Sequence, residues 1–217
     1  MLLDKRLEKV ASCVKKGAYI IDVGTDHAYV PIYLCKTNII EHAVASDIRE
    51  GPLKIASNNI EKFRLEDKID TLLCAGLEKA YLYPKIDCAV IAGMGGDMIV
   101  SILKNNEELS KKIDLVLQPM THYVQLRKYL YDNGYSILEE KLAKDEQRVY
   151  QIICAKYTGI KEEYTDFELY LGKYLLAHRD VEFFEDNRQY ILNKLYIMYN
   201  GNHKQELKTL INDIEKA

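Results

Sequence analysis

Five apolar, β-branched segments alternate with helical patterns along the first half of this chain, and a strand pair follows them. The segments are "AYIIDVG" (18–24), "HAVASDI" (42–48), the weaker "KIDTLLCAG" (68–76), "DCAVIAGMGG" (87–96) and "DLVLQP" (114–119). Helix signals such as "GPLKIASNNIEKF" and "GDMIVSILKNN" fill the gaps. Repeated β-α units of this kind demand a parallel sheet with helices on both faces, because each crossover must pack back onto the sheet. After "VQLRKYLYDNG" the alternation stops. "YSILEEKL" and "RVYQIICAKY" are separated only by the polar stretch Ala143–Gln147, so they are expected to pair antiparallel. Five β-α units closing on a hairpin is an α/β architecture that dinucleotide-binding dehydrogenases do not usually share.

"YTGIKEEYTD" then reads as a polar linker. It divides the chain into an α/β domain over 1–160 and a helical one over 161–217. In the second, Phe184, Arg188, Ile191, Leu195 and Met198 follow 4-3-4-3 spacing, and Leu207, Leu210 and Ile214 continue the seam. Gly201 is expected to end one helix before the next begins, giving a helical hairpin or short coiled coil.

Composition sets limits on the rest. With 217 residues, 48% hydrophobic and 29% charged, the chain has the makings of a substantial core and is not a disordered protein. No apolar run reaches the ~18 residues needed to cross a bilayer. The start "MLLDKRLEKV" is too charged for a signal peptide, so a cytoplasmic protein with no membrane contact is expected. Cys13, Cys35, Cys74, Cys88 and Cys154 are odd in number and contain no C-x-x-C. They predict buried, reduced thiols and no metal site. A net charge of −3 identifies no partner. Locally, residues 1–16 are basic. Leu3, Leu7, Val10 and Val14 predict an amphipathic helix with Lys5, Lys9 and Lys16 on another face, either a solvated stripe or a phosphate contact.

In an open parallel sheet the ligand lies over the carboxyl ends of the strands, at the switch point beside strand one. Gly24, Thr25, Asp26 and His27 follow strand one there. This loop lacks G-x-G-x-x-G, and Asp26 with His27 would crowd or repel a pyrophosphate. Asp47 ends strand two at the distance where a carboxylate accepts ribose hydroxyls. A ribose site without a phosphate site suits S-adenosylmethionine, whose methionine end offers an ammonium and a carboxylate. Each piece also has a plainer reading, Asp47 as a helix cap and His27 as a turn residue. "AGMGG" (92–96) removes bulk where a methyl acceptor would approach the cofactor, leaving a slot for a flat base; a tight turn capping a helix at Asp97 accounts for one of its glycines.

"DVGTDHAYVP", "SDIREGPL", "AGL", "IAGMGGDMI", "LVLQP" and "VYQII" occur in the order found in the bacterial tRNA (adenine(22)-N1)-methyltransferases, and the chain closely resembles that family over residues 1–157. The resemblance implies a Rossmann-like class I methyltransferase fold with a seven-stranded mixed sheet and a C-terminal coiled-coil-like helical hairpin. It implies methyl transfer from S-adenosyl-L-methionine to N1 of adenine 22 in tRNA, by a protein expected to be monomeric. Asp22, Gly24, Asp26 and His27 would border the methionine end, Asp47 and Ile48 the ribose, Ala75 the adenine, and Gly93 and Met94 the reactive side. Asp26, Tyr29, Gln118 and Pro119 would face the incoming base. Two positions depart from the family pattern: Ala75 stands where an acid is usual, and Met120 stands where L-Q-P is usually followed by Asn. These departures leave open a protein that binds without turning over; methylation of a small molecule would leave the basic first helix and helical tail unexplained.

Overall fold

The computed structural model describes residues 3–146 and 148–217, with the backbone alone at Asn202. Seven strands form one sheet: β1 (Tyr19–Val23), β2 (His42–Asp47), β3 (Ile69–Leu73), β4 (Cys88–Gly95), β5 (Asp114–Thr121), β6 (Tyr135–Asp145) and β7 (Arg148–Tyr157). Their spatial order is β3-β2-β1-β4-β5-β7-β6. The first five run parallel, and β7 inserts antiparallel between β5 and β6. The order reverses between β1 and β4, which puts the loops after those two strands over one crevice.

Helices α1 (Lys5–Ala11), α2 (Tyr29–Lys36), α3 (Glu50–Lys62), α4 (Gly96–Asn105), α5 (Glu107–Ser110) and α6 (Tyr123–Asp132) cover the sheet. The strands bury both faces, so two apolar clusters form. One joins α1 and α2 to Ile20, Val90, Val116 and Ile152; the other gathers Ile21, Ile91, Leu117 and Ile153 under α4 and α6. Successive residues of one strand thus enter opposite cores, as the period of two requires.

The hairpin is tighter than the sequence predicts. Ala143, Lys144 and Asp145 all belong to β6, because their cross-strand bonds to Tyr150, Val149 and Arg148 continue the ladder. Gln147, the expected end of the turn, lies outside the described residues. The first helix is also shorter than its apolar spacing implies. Asp4 caps it by accepting from the Leu7 N–H at 2.7 Å, and it stops at Ala11. Val14 is buried beyond the helix end. Lys16 therefore does not share a face with Lys5 and Lys9: it lines a different cleft, while Lys9 pairs with Glu182 at 3.2 Å.

Past the linker there are four helices rather than two: α7 (Asp166–Leu171), α8 (Lys173–Ala177), α9 (Phe184–Asn202) and α10 (Gln205–Glu215). A capping box between Thr165 and Glu168 starts α7. Gly201 does not terminate α9, which runs through it to a left-handed cap at His203 (φ 52°). Ile191, Leu192, Leu195, Leu210, Ile211 and Ile214 form the seam between α9 and α10. Met198 is left out of that seam and is exposed, and Phe184 turns instead to Leu142, Val149 and Leu175, tying α8 and α9 to the sheet hairpin. Arg188 stays with the seam by donating to the Ile214 carbonyl at the end of α10. Among the described residues no helix is long and apolar enough to cross a membrane.

Candidate active site

The loops after β1, β2, β3 and β4 enclose a cavity of about 610 Å³. Gly24, Asp26, Asp47, Ile48, Ala75, Gly93 and Met94 all line it, so residues drawn from four segments of the sequence converge as expected. Asp22 lies beneath. It is buried on β1, accepts a 2.6 Å hydrogen bond from Thr25 Oγ1, and its carboxyl is pushed up to about 6 by desolvation, with the nearby Asp47 charge adding to the rise. A buried carboxyl of this kind favours an incoming cation, which is what the ammonium of an S-adenosylmethionine would supply.

The backbone explains why the loop reads as it does. Gly24 sits at φ 72°, and its N–H donates to the Ser46 carbonyl at 2.8 Å, so β1 hands the chain directly over the end of β2. A side chain at Gly24 would fall 2.3 Å from the Met94 methyl, which packs against the glycine. Asp26 and Ala28 are also left-handed, at φ 51° and 57°; this turns the Asp26 carboxylate outward before α2 begins. Asp47 is not the helix cap that its plainer reading expected, because Arg49 takes the cap position of α3. One oxygen accepts from the Arg49 N–H at 2.9 Å, as a turn residue would, while the residue still faces the cavity.

A second cavity, of about 320 Å³, adjoins the first and shares Gly24, Asp26, Ala92 and Gly93 with it. Its far wall carries His27 and Tyr29, whose rings stack at 4.9 Å and 10°. The Tyr29 side chain is 40% exposed, so it is not an ordinary packing tyrosine. His27 belongs to this second cavity and not to the first.

Gln118 and Pro119 do not line either cavity. Gln118 is fully buried, and its Oε1 accepts from the Gly93 N–H (3.1 Å) and from Arg6 Nη1 (2.8 Å). It stands behind the site and fixes both its glycine loop and a guanidinium. Pro119 is buried beside a shallow cleft with Met120, Tyr123 and Arg148. The glycine run also divides its work. Gly93 needs its left-handed φ of 81°, but Gly96 is there for packing, since a Cβ would meet the His122 carbonyl oxygen at 2.2 Å. The helix cap falls at Gly95, not Asp97, whose carboxylate instead pairs with His122.

Arg6, Arg148 and Tyr150 are the residues that sequence reasoning missed. Arg6 reaches from α1 into the second cavity. Its guanidinium lies 5.9 Å from the Tyr150 ring centroid and that of Arg148 lies 5.0 Å from the same ring. Arg148 Nη2 also donates to the Met120 carbonyl at 2.9 Å. The period of two in R-V-Y was the available signal for Arg148 and Tyr150, while nothing local marks Arg6.

A methyltransferase-domain family matches residues 3–153. The chain is 33% identical, over 171 residues, to the tRNA (adenine(22)-N(1))-methyltransferase of Bacillus subtilis, covering 78% of this chain and 71% of that one. A Streptococcus pneumoniae protein crystallised in complex with S-adenosyl-L-methionine superposes with a TM-score of 0.89 at 31% identity, covering 99% of both chains. The M. capricolum TrmK bound to the cofactor product S-adenosyl-homocysteine gives a TM-score of 0.80 at 30% identity, covering 100% of this chain and 97% of the other. With its strand order, its crevice and these relatives in agreement, the chain belongs to the tRNA (adenine(22)-N(1))-methyltransferase family, within the class of Rossmann-like methyltransferases that use S-adenosyl-L-methionine.

Proposed function

We propose that this protein methylates N1 of adenine 22 in tRNA, in the cytoplasm and as a monomer. The observation that carries the reading is the pair of adjoining cavities, one sized for a nucleoside cofactor and one for a flat base, which meet at Gly24, Asp26, Ala92 and Gly93. The cofactor supplies an electrophilic methyl group on a sulfonium. The chain fits it: Asp47 for the ribose hydroxyls and the 74–76 backbone beside Ala75 for the adenine edge in the larger cavity, with the methionine end reaching past Gly24 and Gly93 to Asp22 in the smaller one.

The remaining work is alignment. N1 of adenine has an in-plane lone pair and needs no strong base, so positioning and electrostatics dominate the rate. Asp26 sits where both cavities meet and would accept from the exocyclic amine, which becomes more acidic as the ring gains positive charge. Tyr29, backed by His27, offers an aromatic face for the base. Gly93 leaves its backbone close to the reacting atoms, held by Gln118. Because N1 lies on the pairing edge, a paired target must leave its stack to enter. Arg6 at the wall of the second cavity and Arg148 beyond it, both beside Tyr150, offer cations and a ring to the RNA.

Incubation of bulk tRNA with the protein and methyl-labelled cofactor, followed by mapping of the modified nucleotide, tests this. The expected product is a single 1-methyladenine at position 22. Label found only on another atom, or only on protein or small molecules, overturns it.

A further inference from the structure

Cys13 and Cys154 stand far apart in the sequence, yet their sulfur atoms and a carboxylate oxygen of Glu139 all lie within 4.8 Å of one another. Three elements bring them there. Cys13 lies in the turn that follows α1, where its Sγ donates to the Lys9 carbonyl at 3.5 Å. Glu139 and Cys154 face each other directly across the β6–β7 ladder. A bulge between Ile137 and Glu139 lets Ile137 enter the core on one face while Glu139 joins Cys154 on the other. The other three cysteines are buried and none belongs to this cluster.

We propose that Cys13, Cys154 and Glu139 form a binding site for a thiophilic divalent cation of the zinc class. Two sulfurs and one carboxylate oxygen suit such an ion, whereas magnesium or calcium would call for oxygens throughout. Tetrahedral bonds of about 2.3 Å to sulfur place two sulfurs roughly 3.8 Å apart. Donors already within 4.8 Å of one another need to close in by only about 1 Å to reach that arrangement. A cleft of about 310 Å³ lined by both cysteines opens beside them, giving the ion an entry path and leaving a fourth position for water. Two thiolates and a carboxylate around a divalent ion leave one negative charge. Lys141 balances it: its ammonium lies 3.5 Å from Glu139 Oε2 and donates to the Ser12 carbonyl at 2.9 Å. The bound ion would tie the turn after α1 to the sheet, and α1 is the helix that carries Arg6. The site is separate from the methyl-transfer centre and does not depend on the function proposed for it.

The test is titration of the full chain, reduced with a thiol-free phosphine, with cadmium(II) and then with zinc(II) in competition. One cadmium per chain is expected, with an ultraviolet thiolate-to-cadmium charge-transfer band that zinc displaces. Cys13→Ser and Cys154→Ser should each lose the band, and Glu139→Gln should retain it with weaker binding. Should a serine variant fail to fold, mass spectrometry of alkylated wild type decides: zinc should protect Cys13 and Cys154 and leave the labelling of the other three unchanged. No stoichiometric band, a band that survives both serine substitutions, or equal alkylation with and without zinc each overturns the proposal.

Discussion

Arg127 and Glu140 meet with neither side chain exposed, Arg127 Nη2 standing 2.7 Å from Glu140 Oε1 and Nε 2.9 Å from the same oxygen. The guanidinium also donates to the Leu169 carbonyl at 2.9 Å, so one arginine on α6 joins β6 to the last turn of α7. Gly172 follows at φ 91°, and a Cβ there would strike Glu140 Oε2 at 2.2 Å. The C-terminal helices are thus seated on a buried ion pair, and only a glycine lets them come this close.

Removing one partner should be far costlier than removing both. Arg127→Ala leaves a buried carboxylate without its counter-charge and should cost about 3–5 kcal/mol of stability, while Arg127→Met with Glu140→Leu should recover most of that loss. Urea unfolding of the three proteins measures it. A single mutant within about 1 kcal/mol of wild type would sink the idea.

Asp22 gives the protein a pH dependence with a definite sign. Its folded-state pKa, about 6, lies above the ordinary carboxyl value of 3.8, so the buried acid form stabilises the fold below pH 3.8 and that contribution fades as pH rises through about 6. The whole effect is about 3 kcal/mol. Cofactor affinity should run the other way, because an ammonium prefers the ionised carboxylate: the dissociation constant should tighten from pH 5 to pH 7. Calorimetry across that range checks this, and Asp22→Asn should bind weakly with the slope removed. An unchanged slope in Asp22→Asn would assign the titration to another group.

Ala75 lines the larger cavity, at the position where the family pattern noted in the sequence leads one to expect an acid. Cys74 does not compensate, since its thiol is turned to the Gly76 carbonyl at 3.4 Å. Ala75→Asp should therefore gain about 1–1.5 kcal/mol, a roughly tenfold tighter cofactor dissociation constant, with little change in the chemical step. Equal or weaker binding would mean that Glu78, Asn105 or Asn106, which line the same cavity, already hold the adenine.

Arg6 and Arg148, rather than the lysines of the first helix, are expected to meet RNA phosphates. Arg148→Ala should weaken tRNA binding and lower its salt slope by up to about one with cofactor affinity unchanged, while Arg6→Ala should do the same and also loosen the cofactor, because Arg6 lines the second cavity and bonds Gln118. Reversing Lys9 should leave the slope alone, because Lys9 is engaged with Glu182. The opposite pattern in filter-binding titrations would return the RNA contact to the lysine face.

Much of this was legible from residue order alone. The short apolar, β-branched runs, the helices between them and the closing hairpin specify the sheet, since a strand apolar on both faces must be covered by helices on both sides. Gly24, Asp26, Asp47 and Gly93 were readable because a parallel sheet obliges its ligand to lie over the strand ends. The tail was less legible. Helical spacing gave a seam from Phe184 to Met198, yet Phe184 packs on the sheet hairpin and Met198 lies exposed outside the seam, because periodicity names a face without naming its partner.

Local pattern and short motifs were enough for the fold class, for the strand ends that line the crevice and for the family to which the chain belongs. It took the folded chain to show that Gln118 lies behind the site, that Arg6 enters it, that Gly96 serves packing, and that Cys13 meets Cys154 and Glu139. The reason is physical. These are contacts between segments remote in sequence, fixed by strand order, by a bulge and by the angle at which α1 crosses the sheet, and no local spacing encodes such distances.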